Sequence, residues 1–300
     1  MALVTTLGLI EGAITRHSAI ASFNAVTLEH VEAIVEGVEQ AGSGAILQVS
    51  ENAIGFHKRN MRPLLLACAS IASSSSAPIS LHLDHFQDPA LISQGIAEAA
   101  GLGVSSIMID AAHQPYVSNI ELTQKAAELA HSHGLWVEGE LGEIGGKNGA
   151  HSPLVRTDPG EAHEYVEGTS IDALAVAVGS SHAMTSASAS IDVDLIARLE
   201  RAVSVPLVLH GSSGVSDTDL RAAVAAGIRK INVGTALNVA FTEALRNRLI
   251  DGPTIHDPRV YITDGRDAIA RTVTRICRLI AESTHEHRSV LPVVNAKNSL

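Results

Sequence analysis

Ala173-Leu174-Ala175-Val176-Ala177-Val178-Gly179-Ser180-Ser181-His182 decides the fold. Its first six residues are apolar without alternation, so both faces of the strand they form are expected to be buried. Small residues then turn the chain, and a histidine follows. Seven more short runs share this pattern: Ile20–Phe23, Ala45–Val49, Ile79–Leu83, Ser106–Ile109, Leu135–Glu138, Leu207–Leu209 and Lys230–Val233. Between them lie stretches of helical period, among them Thr27–Ala41, Pro89–Ala100, Asn119–His133, Asp192–Ala202 and Asp217–Ala226, with Phe241–Leu249 near the end. Strands joined by crossover helices pair in parallel, and eight of them close a barrel. A doubly wound open sheet competes, but the glycine-rich turn it carries after its first strand is missing at Phe23-Asn24-Ala25. The sequence therefore predicts an α/β fold, a single-domain (β/α)₈ TIM barrel over residues 1–285. Residues 286–300 read as a C-terminal tail open to disorder.

Composition narrows the function classes. The 300 residues are 46% hydrophobic and 18% charged, which excludes a disordered chain. The formal net charge of −11 argues against coating nucleic acid or an anionic membrane. Aromatics at 3% are too few for base-stacking platforms. Cys68 and Cys277 cannot build a disulfide framework or a four-thiolate zinc site. The start lacks the basic flank of a signal peptide, and no apolar run is long enough to span a membrane. A cytoplasmic protein without nucleic-acid or membrane partners is expected.

The strand ends carry the chemistry. In order they offer Asn24, Ser50, Asp84-His85, Asp110, Glu140, Ser181-His182, His210-Gly211 and Asn232. Polar residues end strands as helix caps and turn formers too, which explains single positions better than it explains three histidines among carboxylates. In a barrel this is the end that holds the active site. Period-two alternation puts His82 and Asp84 on one strand face and His85 at the rim. Three imidazoles converging from separate strands, His85, His182 and His210, can hold zinc and leave one position open. Nitrogen donors argue against calcium or magnesium. His210-Gly211-Ser212-Ser213-Gly214 and Asn232-Val233-Gly234-Thr235 place hydroxyls and backbone N–H groups ahead of helices, an anion cradle. The glycine-dense stretch from Glu138 to Gly149, after the fifth strand, reads as a loop able to close over a substrate.

With these motifs in hand, the chain resembles the class II, zinc-dependent ketose-bisphosphate aldolases, in the branch of the tagatose- and fructose-bisphosphate aldolases. Phe23-Asn24, His82-Leu83-Asp84-His85, Met108-Ile109-Asp110-Ala111, Glu138-Gly139-Glu140-Leu141-Gly142, Gly179-Ser180-Ser181-His182, Leu209 to Gly214, Lys230-Ile231-Asn232-Val233 and Asp257-Pro258-Arg259 carry the resemblance. It implies reversible cleavage of a phosphorylated ketose to dihydroxyacetone phosphate and an aldehyde, through a metal-stabilised enediolate. One zinc per subunit is implied on His85, His182 and His210, with Asp110 and Glu140 as supporting carboxylates and a monovalent cation near the phosphate. Asp84 is implied as the acid–base residue. Asn24, Ser50 and Asn232 match positions touching the ketose, and Gly211, Ser213 and Thr235 match phosphate contacts. Arg259 matches an arginine that, in part of the family, reaches a neighbouring subunit's site, so a homodimer or homotetramer is implied. An imine-forming lysine is absent from the strand ends, since Lys230 is read as beginning its strand.

Two departures from the family pattern stand out. Asn148 occupies the place of the loop glutamate that shuttles the proton at the enediolate carbon, and an amide is no base. Glu143 is the first choice to replace it and His151 the second. Ala183 replaces a glycine after the second zinc histidine. Two other readings stay open. One is a non-catalytic sugar-phosphate-binding barrel. The other is a metal-dependent amidohydrolase, whose usual His-x-His on the first strand and aspartate after the eighth are here Asn24 and Asn232.

Overall fold

A computed structural model describes residues 3–142, 155–180 and 190–281. Helix α1 (Thr6–Thr15) precedes β1 (Ile20–Asn24) and α2 (Leu28–Ala41). Then come β2 (Ala45–Ser50), α3 (Glu51–Phe56), α4 (Arg62–Ser73), β3 (Ile79–Phe86), α5 (Pro89–Leu102) and β4 (Val104–Ile109). The chain continues as α6 (Tyr116–Ser132), β5 (Trp136–Leu141), α7 (Pro159–Thr169), β6 (Ala173–Val176), α8 (Val193–Ala202) and β7 (Leu207–Leu209). It closes with α9 (Asp217–Ala226), β8 (Ile228–Val233), α10 (Thr235–Asp251) and α11 (Pro258–Ala281). The strands form one closed parallel barrel in sequence order, with β1 paired to both β2 and β8. No helix of the described residues is long and apolar enough to cross a membrane.

All eight expected strands are present with shifted ends. β5 continues through Glu140 to Leu141, β3 through His85 to Phe86, β4 begins at Val104 and β8 at Ile228, β1 and β2 each gain one residue, and β6 stops at Val176 instead of Val178. Lys230 is thus a mid-strand residue, buried inside the barrel, and does not begin its strand. The larger apolar core lies between strands and outer helices. A second one fills the lower barrel with Ile20, Ile46, Met108, Trp136 and Val208, closed from below by Leu9, Ile10 and Ala13 of α1. Thr6 seals that plug, its hydroxyl hydrogen-bonding Ser80 at 3.0 Å and Ser106 at 2.6 Å.

Helix α11 is not among the helices expected from sequence. It packs on α2 at Gly37, where an added Cβ would sit 2.5 Å from the Ala270 carbonyl oxygen, so only glycine allows this approach. The long helix thereby covers the β1 side of the barrel.

Candidate active site

Above the apolar plug, the interior turns polar. Ser22, Gln48, His82, Ser106, Glu138 and Lys230 are fully buried, each pointing inward. Five of them stand two residues before a mouth residue: Ser22 before Asn24, Gln48 before Ser50, His82 before Asp84, Glu138 before Glu140, Lys230 before Asn232. Strand alternation puts both members of each pair on the inner face. Buried polar groups demand partners. Glu138 accepts from Lys230 Nζ at 2.7 Å and from His210 Nε2 at 2.8 Å. Lys230 also donates to Asn232 Oδ1 at 2.8 Å. Gln48 donates to Asn24 Oδ1 at 2.7 Å.

This layer fixes the mouth. Asp84 accepts from Asn24 Nδ2 at 2.8 Å and from Asn232 Nδ2 at 3.2 Å, one bond to each oxygen. Burial opposes ionisation of Asp84, but the positive charge available on His85, His210 and Lys230 outweighs it and holds the carboxyl well below the usual carboxylate range. Burial likewise opposes ionisation of Glu138, and the Lys230 ammonium brings it down to about 2.

His85 does not stay at the rim, where alternation places it. It is buried, with a left-handed φ of 52°. Between Leu83 and Phe86 the β3–β4 register slips, so three steps on β3 face two on β4. Such a bulge re-aims a side chain. The left-handed turn costs about 1–2 kcal/mol for a non-glycine residue. The new bonds offset it: Asp110 N donates to the Phe86 carbonyl at 3.0 Å, and His85 Nδ1 donates to Asp110 Oδ2 at 3.0 Å. Asp84 and His85, adjacent in sequence, now face the same cavity.

The two histidines make a donor set for a metal. Each uses one ring nitrogen as a donor to an ionised carboxylate, His85 Nδ1 to Asp110 and His210 Nε2 to Glu138. In the neutral rings that leaves lone pairs on His85 Nε2 and His210 Nδ1. These nitrogens lie 2.8 Å apart, with the rings edge to face. Burial keeps His210 neutral, lowering it to about 4. Two lone pairs aimed at one point repel each other unless a proton or a metal ion sits between them, and carboxylate-oriented histidines are the usual metal-binding arrangement. Among the described residues, Asp84, His85 and His210 form one group able to hold an ion, and His85, Asp110 and Glu140 a second. The residues fit the zinc that the sequence implies. His182, Glu143, Asn148, His151 and Ala183 lie outside the described residues.

One cavity of about 380 Å³ joins these groups, within the range of small-molecule sites. Asn24, Ser50, Asp84 and His85 line one side; His210, Gly211, Ser213, Asn232 and Thr235 line the other. Gly211 takes the left-handed φ of 66° that turns the chain from β7 into a short 3₁₀ turn at Ser212–Gly214. Ser213 Oγ accepts from Ala236 N at 2.9 Å, capping the first turn of α10, and Ser50 Oγ caps α3 at 3.2 Å. The positive end of α10 therefore points at the cavity. Arg259 stands elsewhere. It is exposed and paired with Asp257 at 2.7 Å. Sequence reasoning missed Glu138 and Lys230 as site-building residues, although their two-residue spacing to Glu140 and Asn232 was the available signal.

The buried groups also set acid sensitivity. His82 is lowered to about 3, by burial first and the Lys230 charge second. His82, His210 and Glu138 all bind protons more weakly folded than unfolded, so unfolding takes up protons in acid. Stability is complete above pH 6.5, the ordinary histidine value, and falls as pH drops towards 4. Around pH 5, between the folded and the ordinary histidine values, stability should fall steadily as the pH is lowered. Urea midpoints of the metal-free protein measured from pH 7 to 4 check this; a flat profile would contradict the buried neutral pair.

Comparison with known proteins covers most of the chain. The sequence profile of the family described as fructose-bisphosphate aldolase class-II matches residues 4–285. The structure of the YdjI aldolase from Escherichia coli K12 is similar at 30% identity and a TM-score of 0.79, over 94% of this chain and 98% of that one. The fructose-bisphosphate aldolase of Campylobacter jejuni shares the fold at 20% identity and a TM-score of 0.79, over 93% of this chain and 95% of that one.

Proposed function

This chain belongs to the class-II fructose-bisphosphate aldolase family, and from that premise we propose a zinc-dependent lyase that splits a phosphorylated ketose reversibly into dihydroxyacetone phosphate and an aldehyde. The observation that carries the reading is the single cavity in which a fixed carboxylate, two converging imidazoles and a helix-capped anion cradle meet. Zinc on His85, His210 and His182 would supply a Lewis acid at the ketose carbonyl, with Asp110 and Glu140 in support.

The chain's own groups do the rest. Gly211, Ser213 and Thr235 hold the phosphate at the N-terminus of α10, and Asn24, Ser50 and Asn232 border the carbon chain. Asp84, ionised at rest, takes the proton of the C4 hydroxyl in cleavage and returns it to the aldehyde oxygen in condensation. Its two asparagine donors keep it in one orientation. Proton exchange at the dihydroxyacetone phosphate carbon falls to Glu143, or failing it His151, because Asn148 has no basic atom. In a homodimer or homotetramer, Arg259 would reach the neighbouring subunit's site by exchanging its Asp257 partner for a second phosphate.

Ser213→Asp tests the cradle. The aspartate keeps the cap on Ala236 N, so the fold should persist. Its charge opposes the phosphate, and KM should rise about tenfold or more; an unchanged KM would remove Ser213 from the site. Solvent deuterium exchange into dihydroxyacetone phosphate tests the whole reading without the aldehyde partner. Exchange that ceases with chelator and returns with zinc supports it. Binding of dihydroxyacetone phosphate with no exchange would favour the non-catalytic sugar-phosphate binder, the reading that Asn148 motivates. If Glu143→Gln and His151→Ala both exchange at the wild-type rate, neither is the base.

A further inference from the structure

A second cavity, larger than the one at the mouth, lies at the other end of the barrel. It measures about 1140 Å³ and opens at the N-terminal ends of β1, β2 and β8, where Ile20, Gly44 and Arg229 reach its wall. The reaction mouth is lined instead by the C-terminal ends of the same strands, at Asn24, Ser50 and Asn232. The two sites therefore share no residue.

Its wall is cationic in a chain of net charge −11. Arg16 follows α1, Arg229 is the second residue of β8, and Arg278 stands in the last turn of α11. Elsewhere Arg59, Arg62, Arg248, Arg266 and Arg275 each pair with a carboxylate. Among the described residues, Arg16, Arg229 and Arg278 have no carboxylate within ion-pair distance. Glu39 is the one carboxylate in the described wall, and it is engaged by Ser76 N at 2.7 Å and Ser75 Oγ at 2.8 Å. Those donors, the Ser76 backbone first, lower its pKa and keep it charged. Three guanidiniums against the Glu39 carboxylate, with Glu200 outside the wall but near enough to act on Arg229, leave a net positive wall.

Two of the arginines are held in place. Arg229, partly buried, donates through Nη1 to the carbonyls of Val224 and Ile228, both at 2.9 Å. Arg278 donates through Nη2 to the Gln40 carbonyl at 2.8 Å. Each guanidinium spends one nitrogen on the backbone and keeps the others for a ligand. A tethered guanidinium loses less freedom on binding, and its fork matches phosphate oxygens. The space is concave and larger than a single phosphate needs, so it suits a small molecule better than a macromolecular surface.

We propose that this basal cavity binds a phosphorylated small molecule, up to nucleotide size, whose phosphate groups are held by Arg16, Arg229 and Arg278. Binding there bridges α1, α2, β8 and α11, so the ligand should raise the unfolding temperature by mass action. It is independent of the aldolase reading and stands whether or not the mouth turns over any sugar.

Labelled inorganic pyrophosphate serves as probe, in equilibrium dialysis against the full zinc-loaded chain, with zinc content checked afterwards. The Ser213→Asp protein, whose mouth rejects phosphate, should still retain about one pyrophosphate per chain. Adding Arg229→Gln or Arg278→Gln in that background should weaken retention about tenfold or more each. Arg278→Lys, which keeps the charge and loses the fork, should fall between. The same arginine changes in the otherwise wild-type chain should leave the far-ultraviolet circular dichroism spectrum and the zinc content unaltered, which shows that they fold. No retention by Ser213→Asp, or retention indifferent to both arginine changes, would overturn the proposal.

Discussion

His85→Ala is expected to strip the metal and the activity together. The imidazole supplies one of two lone pairs that meet 2.8 Å apart, and without it His210 Nδ1 has lost that partner. Turnover should fall by about 10³-fold or more, the scale of several kcal/mol of lost charge stabilisation. Elemental analysis of the purified variant is the check, since it reads the metal without relying on catalysis. A milder companion change separates ligand from support: Asp110→Asn keeps the imidazole but loses the ionised acceptor on Nδ1, and should weaken zinc binding by about 10–100-fold. Full zinc occupancy in His85→Ala would sink the assignment.

Asp84→Ala is expected to behave differently. Asp84 lies beside the histidines and its oxygens belong to the same possible ligand group. Both of those oxygens already accept from asparagines, Asn24 and Asn232. The proposal therefore gives it a proton to carry and no metal to hold. The variant should retain zinc and lose about 10²–10⁴ in kcat, the range for a positioned acid or base. Zinc loss in Asp84→Ala would make it a ligand, and undiminished turnover would end its role as base.

Much of this was legible in the sequence, for physical reasons. Parallel barrel strands are buried on both faces, so they appear as short, β-branched apolar runs bounded by turn residues, distinct in length from the helical stretches between them. Mouth residues appear as the polar groups that end those runs. Errors came where the interior is polar. Glu138-Gly139-Glu140 reads as the start of a loop, yet it is strand, because Lys230 and His210 satisfy Glu138 inside the barrel. The eighth strand reads as starting at Lys230 because the half-buried Arg229 interrupts the apolar run after Ile228. The inward turn of His85 was out of reach, since it depends on a bulge and a left-handed residue set by tertiary bonds to Asp110. Helix α11 hides its apolar stripe of Ile269, Val273, Ile276 and Ile280 among arginines. Motif resemblance assigns Arg259 to a neighbouring subunit's phosphate, and within its own chain it pairs with Asp257.

The most direct test of the central claim is release of dihydroxyacetone phosphate from a panel of fructose, tagatose and related ketose phosphates. Each is assayed as purified, after chelation, and after zinc is restored. The account predicts cleavage of at least one member, abolished by chelator and recovered with zinc. Cleavage of a ketose phosphate that persists undiminished in the fully metal-free enzyme would contradict it, as would a zinc-loaded enzyme that cleaves none of them.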